Sequence, residues 1–131
     1  MQTNLERKNM TRDWEVIREI LLKLEACTTA NTNLNAKTIN GFPEQAVAYN
    51  MRLLSEAGFI EAKIMSSSSG DGKINAALAT RLTNSGHDLL DTIRNDSVWG
   101  KVKEKFVSSG IDMTFELVTS VGKRIMEAML S

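Results

Sequence analysis

The sequence has very few of the residues that mark several specialised protein classes. It contains a single cysteine, Cys27, among 131 residues, so no disulfide can form within the chain and a reducing compartment is the natural setting. Basic and acidic side chains number 16 each, and the formal net charge is therefore zero. Autonomous nucleic-acid binders are usually basic, so any such binding here requires a local cluster of positive charge.

Signals for secretion, membrane insertion and catalysis are also missing. The polar N-terminal stretch MQTNLERKNM lacks the apolar segment of a signal peptide, and no apolar run is long enough to span a bilayer. His87 is the single histidine, and the sequence contains no His/Cys cluster, glycine-rich phosphate loop, pair of catalytic carboxylates or nucleophile beside a base. We therefore expect a cytoplasmic protein that is not an enzyme, has no membrane partner and needs no metal or cofactor.

The apolar periodicity predicts five helices. The first, within residues 11–27, has Thr11 as its N-cap, and its apolar side chains recur at spacings of three and four: Trp14, Ile17, Leu21 and Leu24. The second, at 43–57, has Pro43 in its first position and stops at Gly58. The remaining three follow residue 82, with Thr83 or Ser85 capping the third helix and Asp96 or Ser97 capping the fourth.

Two alternating segments, FIEAKIM and KINAALATRL, flank the turn SSSSGDG and predict a β-hairpin after the second helix. The segment AKTI at 36–39 is a candidate for one more short strand. The predicted organisation is a flexible extension at residues 1–10, a domain at 11–95 and a C-terminal helical extension at 96–131. The fold class is mainly α with a small β-hairpin.

This order of elements resembles the winged helix-turn-helix of small bacterial regulators of the arsenical-repressor and multiple-antibiotic-resistance-regulator types. In those proteins a leucine-rich recognition helix ends in E-x-G-[LF]-[IV], and the second wing strand leads into [RY]-x-T-x-x-G. The matching residues here are Leu53, Leu54, Glu56, Gly58, Phe59 and Ile60, followed by Arg81, Thr83 and Gly86. The resemblance implies a winged-helix core with added C-terminal helices. A full motif has a positioning helix before the recognition helix, where this chain has only the polar stretch TTANTNLNAKTIN.

A closer resemblance is to a family of small phage- and prophage-associated bacterial proteins that is classed as a domain of unknown function. Four motifs occur in the right order: TRDWEVIREILL at 11–22, LLSEAGFI at 53–60, LTNSGHDLLDTIR at 82–94, and the W-x-x-V-K motif from Trp99 to Lys103. Relatives often have histidine where Asn50 stands. The resemblance implies a fold and a phage or prophage setting, and it implies no activity.

Candidate DNA contacts lie on the second helix and on the hairpin. With Val47, Met51 and Leu54 facing inward, the outward residues of the helix are Gln45, Ala48, Tyr49 and Arg52. Glutamine pairs with adenine, arginine pairs with guanine and tyrosine reaches phosphate, which makes Gln45, Tyr49 and Arg52 candidates for double-stranded DNA. Lys63, Lys73 and Arg81 are the candidate phosphate contacts on the hairpin. An ordinary solvated surface carries the same residue types.

Two functions of different classes therefore stay open. The first is a DNA-binding or transcription-regulatory module, dimeric through its C-terminal helices. The second is a winged-helix module that binds a phage or host protein and no nucleic acid, which the zero net charge favours. The stretch VWGKVKEKF, with Lys101, Lys103 and Lys105 against Glu104, is either a DNA-backbone stripe or an exposed flank.

Overall fold

A computed structural model describes residues 10–30 and 32–131, so nearly all of the predicted extension at 1–10 lies outside the described residues. The described chain forms two compact units, the first ending at Gly86 and the second covering His87–Ser131. Five α-helices and a three-stranded antiparallel sheet make up the described residues, which confirms the mainly helical class. Within residues 10–30 and 32–131, no helix combines the length and the apolar character that crossing a bilayer demands. The predicted domain boundary at 95/96 stays a prediction.

The first unit contains two helices and the sheet. Its elements in chain order are α1 (Trp14–Glu25), β1 (Leu34–Asn35), a short 3-10 helix (Ala36–Thr38), α2 (Glu44–Glu56), β2 (Ile60–Ser66) and β3 (Ile74–Leu82). The strands lie in the order β1-β3-β2. Helix α2 packs against α1 and against both long strands, and it therefore occupies the centre of the unit.

Helix α1 buries the predicted apolar face, but it begins later than the sequence suggested. Its N-cap is Asp13 rather than Thr11, and the Asp13 carboxylate accepts hydrogen bonds from the backbone N–H groups of Glu15 (3.0 Å) and Val16 (3.3 Å). A carboxylate at this position satisfies two of the four N–H groups that a helix start leaves unpaired, and its charge favours the positive end of the helix dipole.

Helix α2 is held by a fully buried row formed by Val47, Met51 and Leu54. The prediction that Ala48 faces outward is wrong, since Ala48 is 1% exposed and lies on the side of α2 that the first unit covers. Pro43 is the N-cap residue rather than the first helical residue. Gly58 ends the helix with φ +84°, a backbone conformation that glycine adopts without the steric cost that a Cβ atom brings.

The predicted hairpin is confirmed as β2 and β3, while the expected strand at AKTI is wrong. Residues Ala36–Thr38 form a 3-10 turn, because the Asn35 side chain accepts a hydrogen bond from the Lys37 N–H (2.9 Å) and closes the backbone there. The extra strand lies just before it, where Leu34 pairs with Ala79 and Asn35 pairs with Leu78.

The end of α2 and the start of α3 (Asn84–Ile93) are joined by hydrogen bonds between two glycine-containing motifs. The Thr83 hydroxyl donates to the Gly58 carbonyl (2.5 Å) and accepts from the Gly86 N–H (3.1 Å). The Thr83 N–H donates to the Phe59 carbonyl (3.0 Å). Gly86 also lies against this carbonyl, and a Cβ atom at position 86 would overlap its oxygen. The motifs EAGFI and LTNSG therefore form one junction, which is structural in character.

The second unit is helical and consists of the rest of α3 with α4 (Asp96–Ser109) and α5 (Phe115–Leu130). The apolar row of α4 is buried: Val98, Trp99, Val102 and Phe106. Its N-cap is Asn95 rather than Asp96 or Ser97, because the Asn95 amide oxygen accepts from the N–H groups of both Ser97 (2.8 Å) and Val98 (3.1 Å). Helix α5 approaches α3 closely at Gly122, where an added Cβ atom would lie 2.9 Å from the Thr92 Cβ and carbonyl oxygen.

Candidate functional site

The candidate residues of α2 lie on one side of the helix, at spacings of four and three. Gln45, Tyr49 and Arg52 are all partly exposed, whereas their neighbours Ala46, Ala48 and Met51 are buried. This strip runs beside the hairpin, because α2 packs against both β2 and β3. The structure therefore brings the three predicted helix residues together on one accessible surface.

The Gln45 amide forms two hydrogen bonds to the backbone of the hairpin. Its Nε2 donates to the Ile74 carbonyl (2.8 Å), and its Oε1 accepts from the Ile74 N–H (3.0 Å). These are the two bonds that a neighbouring strand would offer to the residue that begins β3. Gln45 thus positions the hairpin, and the amide groups that would read adenine are engaged within the chain.

Arg52 reaches the other strand at the same level. Its Nη2 donates to the Ser66 hydroxyl (3.1 Å), and Ser66 is the β2 residue that pairs with Ile74. Gln45 and Arg52 therefore hold the two strands at the point where the hairpin tip, residues 67–73, begins. Arginine carries five N–H donors, so one bond to a serine leaves donors available for a further partner.

Arg81 is engaged in an ion pair on the sheet. Its Nε and Nη2 donate to the two Glu61 carboxylate oxygens (3.0 and 2.9 Å), and its Nη1 donates to the Leu82 carbonyl (3.0 Å). The hydrogen bonds and the charge of Arg81 lower the pKa of the Glu61 carboxyl group, and the pKa of Arg81 is raised by the same pairing. The charge of Arg81 is thus balanced locally by Glu61.

Lys63 lies with this pair rather than with α2. Side chains alternate between the two faces of a strand, so Glu61 and Lys63 share the face opposite to Ile60 and Ala62. Lys63 and Glu61 line a shallow polar cavity of about 410 Å³ together with Thr32, Asn33 and Thr80. The six candidates therefore fall into two groups, with Lys63 and Arg81 on the outer face of the sheet.

Lys73 is fully part of the hairpin tip. Its side chain is exposed, its carbonyl accepts from the Ser67 N–H (2.9 Å), and its N–H donates to the Asp71 carboxylate (3.0 Å). This backbone hydrogen bond is the main cause of the lowered pKa of Asp71. The tip is thus an ordered turn that presents one ammonium group next to one carboxylate.

Asn50 is a positioning residue that the sequence analysis did not identify. It is completely buried, and its Nδ2 donates to the carbonyls of Ala46 (2.8 Å) and Thr11 (3.3 Å) while its Oδ1 accepts from the Asp13 N–H (2.9 Å). Asn50 thereby fixes the start of α1 against α2. The available signal was an amide on the apolar side of a helix, since Asn50 stands between the buried positions 47 and 54.

Residues 11–112 match the family described as "Hypothetical protein (DUF2513)". The chain belongs to this family. The DUF2513 match extends from just before α1 to just after α4 and ends before α5, so it covers part of the second unit. The predicted membership of a family of unknown function is thereby confirmed.

The DUF2513 chain is also similar to an uncharacterized protein of Haemophilus influenzae. The two are 40% identical over 122 residues, which is 93% of this chain and 100% of the relative. No solved structure matches the chain. The similarity therefore covers most of the chain and names no ligand or reaction.

Proposed function

We propose that this DUF2513 protein is a winged-helix DNA-binding module with a regulatory role. The order of α1, β1, the 3-10 helix, α2, β2 and β3, with the sheet order β1-β3-β2, supports this proposal. In this arrangement α2 is the recognition helix, the β2–β3 hairpin is the wing, and Ala36–Thr38 stands in the place of the positioning helix.

The observation that carries the proposal is the attachment of α2 to the base of the hairpin. Gln45 and Arg52 bond the paired residues Ile74 and Ser66, so the outer side of α2 is attached to the base of the hairpin tip. A helix in a groove and a wing on the phosphates require such a fixed distance. Tyr49 and Arg52 are then the groove contacts and Lys73 is the phosphate contact, while Gln45 acts as the positioning residue.

The test is binding to random-sequence duplex DNA at low and moderate salt, measured by fluorescence anisotropy. We expect affinity to fall with salt, because phosphate contacts release counterions. Lys73→Ala should weaken binding to all sequences and reduce the salt slope by about 1. Arg52→Ala should weaken a selected sequence more than random DNA.

Lys63→Ala is the matched control, because Lys63 lies on the outer face of the sheet away from α2. Its affinity for DNA should equal that of the wild type. No binding by a folded sample at low salt would refute the DNA proposal, and so would equal losses in the Lys63 and Lys73 variants.

A second candidate is a winged-helix module that binds a phage or host protein and no nucleic acid. The specific observation in its favour is that two of the candidate DNA contacts are already bonded within the chain, Gln45 to the Ile74 backbone and Arg81 to the Glu61 carboxylate. This second candidate would be favoured if a folded sample binds no DNA but binds a protein through the Tyr49 side of α2. Tyr49→Ala should then abolish the affinity for that protein.

The cellular setting belongs to the same proposal. The phage or prophage context rests on the four motifs, and the cytoplasmic location rests on the lone cysteine. Dimerisation through the C-terminal helices would pair two recognition helices on a two-fold symmetric site. Multi-angle light scattering of the purified chain tests the dimer, and a monomer at all concentrations would contradict it.

A further inference from the structure

The second unit has an open groove between α4 and α5 that is independent of the α2 and hairpin surface. Two shallow cavities of about 310 and 430 Å³ lie along it, and they share Lys105 and Ile125 in their linings. Val121, Arg124 and Ala128 of α5 complete the first lining, and Lys101, Glu104 and Ser108 of α4 complete the second.

The floor of the groove comes from an apolar stripe on α5 that the core of the unit does not use. The residues that α5 buries are Val118 and Gly122. Leu117, at 41% exposure, and the partly exposed Val121 and Ile125 recur every fourth residue along one side. From Leu117 to Ala128 the stripe is about 16 Å long, the length of about three helical turns.

The rim of the groove is positively charged. Lys101, Lys105 and Arg124 oppose a single acid, Glu104, which leaves an excess of two positive charges (three minus one). Within the part of the chain that the structure describes, none of these three cations has an ion-pair partner. An apolar floor between cationic rims is complementary to an apolar face between acidic flanks.

We propose that the α4–α5 groove binds an amphipathic helix with acidic flanks from another protein. Val121, Ile125 and Ala128 take the apolar side chains of the helix, while Lys101, Lys105 and Arg124 pair with its carboxylates. A second copy of this chain fits less well, because a two-fold symmetric contact places the same cationic rim on both sides. Duplex DNA would use the cations but would leave the apolar floor uncovered.

The experiment uses two labelled synthetic peptides of about 15 residues, enough for the three turns of the apolar stripe and frayed ends. Both carry leucines along one helical face, with glutamates beside them in the acidic peptide and lysines at the same positions in the basic one. Fluorescence anisotropy with the full chain should detect binding of the acidic peptide and none of the basic peptide. Added salt should weaken the complex.

The variants are Lys105→Glu with Arg124→Glu, and Lys123→Glu as the control. Lys123 is an exposed cation of the same helix that lies outside both linings. The double variant should bind the acidic peptide about tenfold more weakly and should gain affinity for the basic peptide. Lys123→Glu should bind like the wild type. Far-UV circular dichroism establishes that each variant is folded.

Five results would overturn the proposal. Wild-type protein could bind both peptides equally, or it could bind neither of them. Both results contradict the expected preference for the acidic peptide without any variant. The double variant and the control could lose affinity to the same extent, which would indicate charge alone. The chain could form a dimer that Ile125→Asp dissociates, which would assign the groove to a second copy. Finally, the wild type could fail to bind the acidic peptide while the double variant loses affinity for duplex DNA. That result would assign Lys105 and Arg124 to phosphate contacts.

Discussion

Gly86→Ala is the sharpest test of the junction between α2 and α3. In an ordinary helical position this substitution stabilises a protein by about 1 kcal/mol, because alanine loses less backbone freedom on folding. At position 86 the new Cβ would overlap the Phe59 carbonyl oxygen, and it would lie 3.0 Å from the Phe59 carbonyl carbon and 3.3 Å from the Leu82 side chain. The atoms in the way belong to the Phe59 backbone, which cannot rotate away as the end of a flexible side chain can.

The size of the effect follows from what must move. Separating the Cβ and the carbonyl oxygen to ordinary contact requires a shift of about 1 Å. Such overpacking typically costs about 1–3 kcal/mol, and the same shift breaks the Thr83 N–H bond to Phe59, worth about 1 kcal/mol or more. After the helix gain is subtracted, we expect the free energy of unfolding to fall by roughly 1–3 kcal/mol.

The assay is urea unfolding followed by far-UV circular dichroism, where this loss lowers the midpoint by about 0.5–2 M for a typical slope. Gly100→Ala in α4 is the matched control, because an added Cβ there meets nothing within 4 Å. We expect it to stabilise the protein by about 0.5–1 kcal/mol. Wild-type stability or better in Gly86→Ala would refute the assigned role of this glycine.

Three further predictions concern single contacts. Gly122→Ala should destabilise the protein by about 1–2 kcal/mol, because the added Cβ would press on Thr92. The thermal unfolding midpoint should therefore fall, and a raised midpoint would contradict the close crossing of α5 and α3. Asn50→Leu removes all three hydrogen bonds of the amide, so urea unfolding should show a loss of about 2–3 kcal/mol; unchanged stability would mean that the amide does not stabilise the start of α1 against α2. Arg81→Met should raise the pKa of Glu61 towards its ordinary range in a carboxyl NMR titration, and an unchanged pKa would disprove the pairing. Because pairing depresses the folded-state pKa, any stability from the pair is present at neutral pH and disappears as the pH falls through that value.

The helices were largely predictable because their apolar spacing is local information. Their caps were less so, since Thr11, Asp13, Asp96 and Asn95 are all residue types that cap helices and only the backbone geometry selects one of them. The two-residue strand β1 could not be predicted from its own residues. It exists because β3 supplies partners more than 40 positions away in the sequence.

The candidate site shows the same division. Periodicity correctly placed Tyr49 and Arg52 on the exposed side of α2, but it could not reveal that Gln45 bonds Ile74, since the two are 29 positions apart. Strand alternation alone would have assigned Lys63 to the face of Glu61 and away from α2. Whether a charged side chain is free or paired, as Arg81 is with Glu61, depends on the register between the two strands.

The attachment of α2 to the hairpin also defines where the chain tolerates a change of length. Arg52 and Gln45 of α2 bond Ser66 and Ile74, the residues on either side of the tip. These bonds hold both ends of residues 67–73 and do not depend on the length of the tip. Lengthening such a loop costs only a slowly rising closure entropy. We therefore expect this chain to accept insertions and deletions within the tip without a change in the helices that carry it.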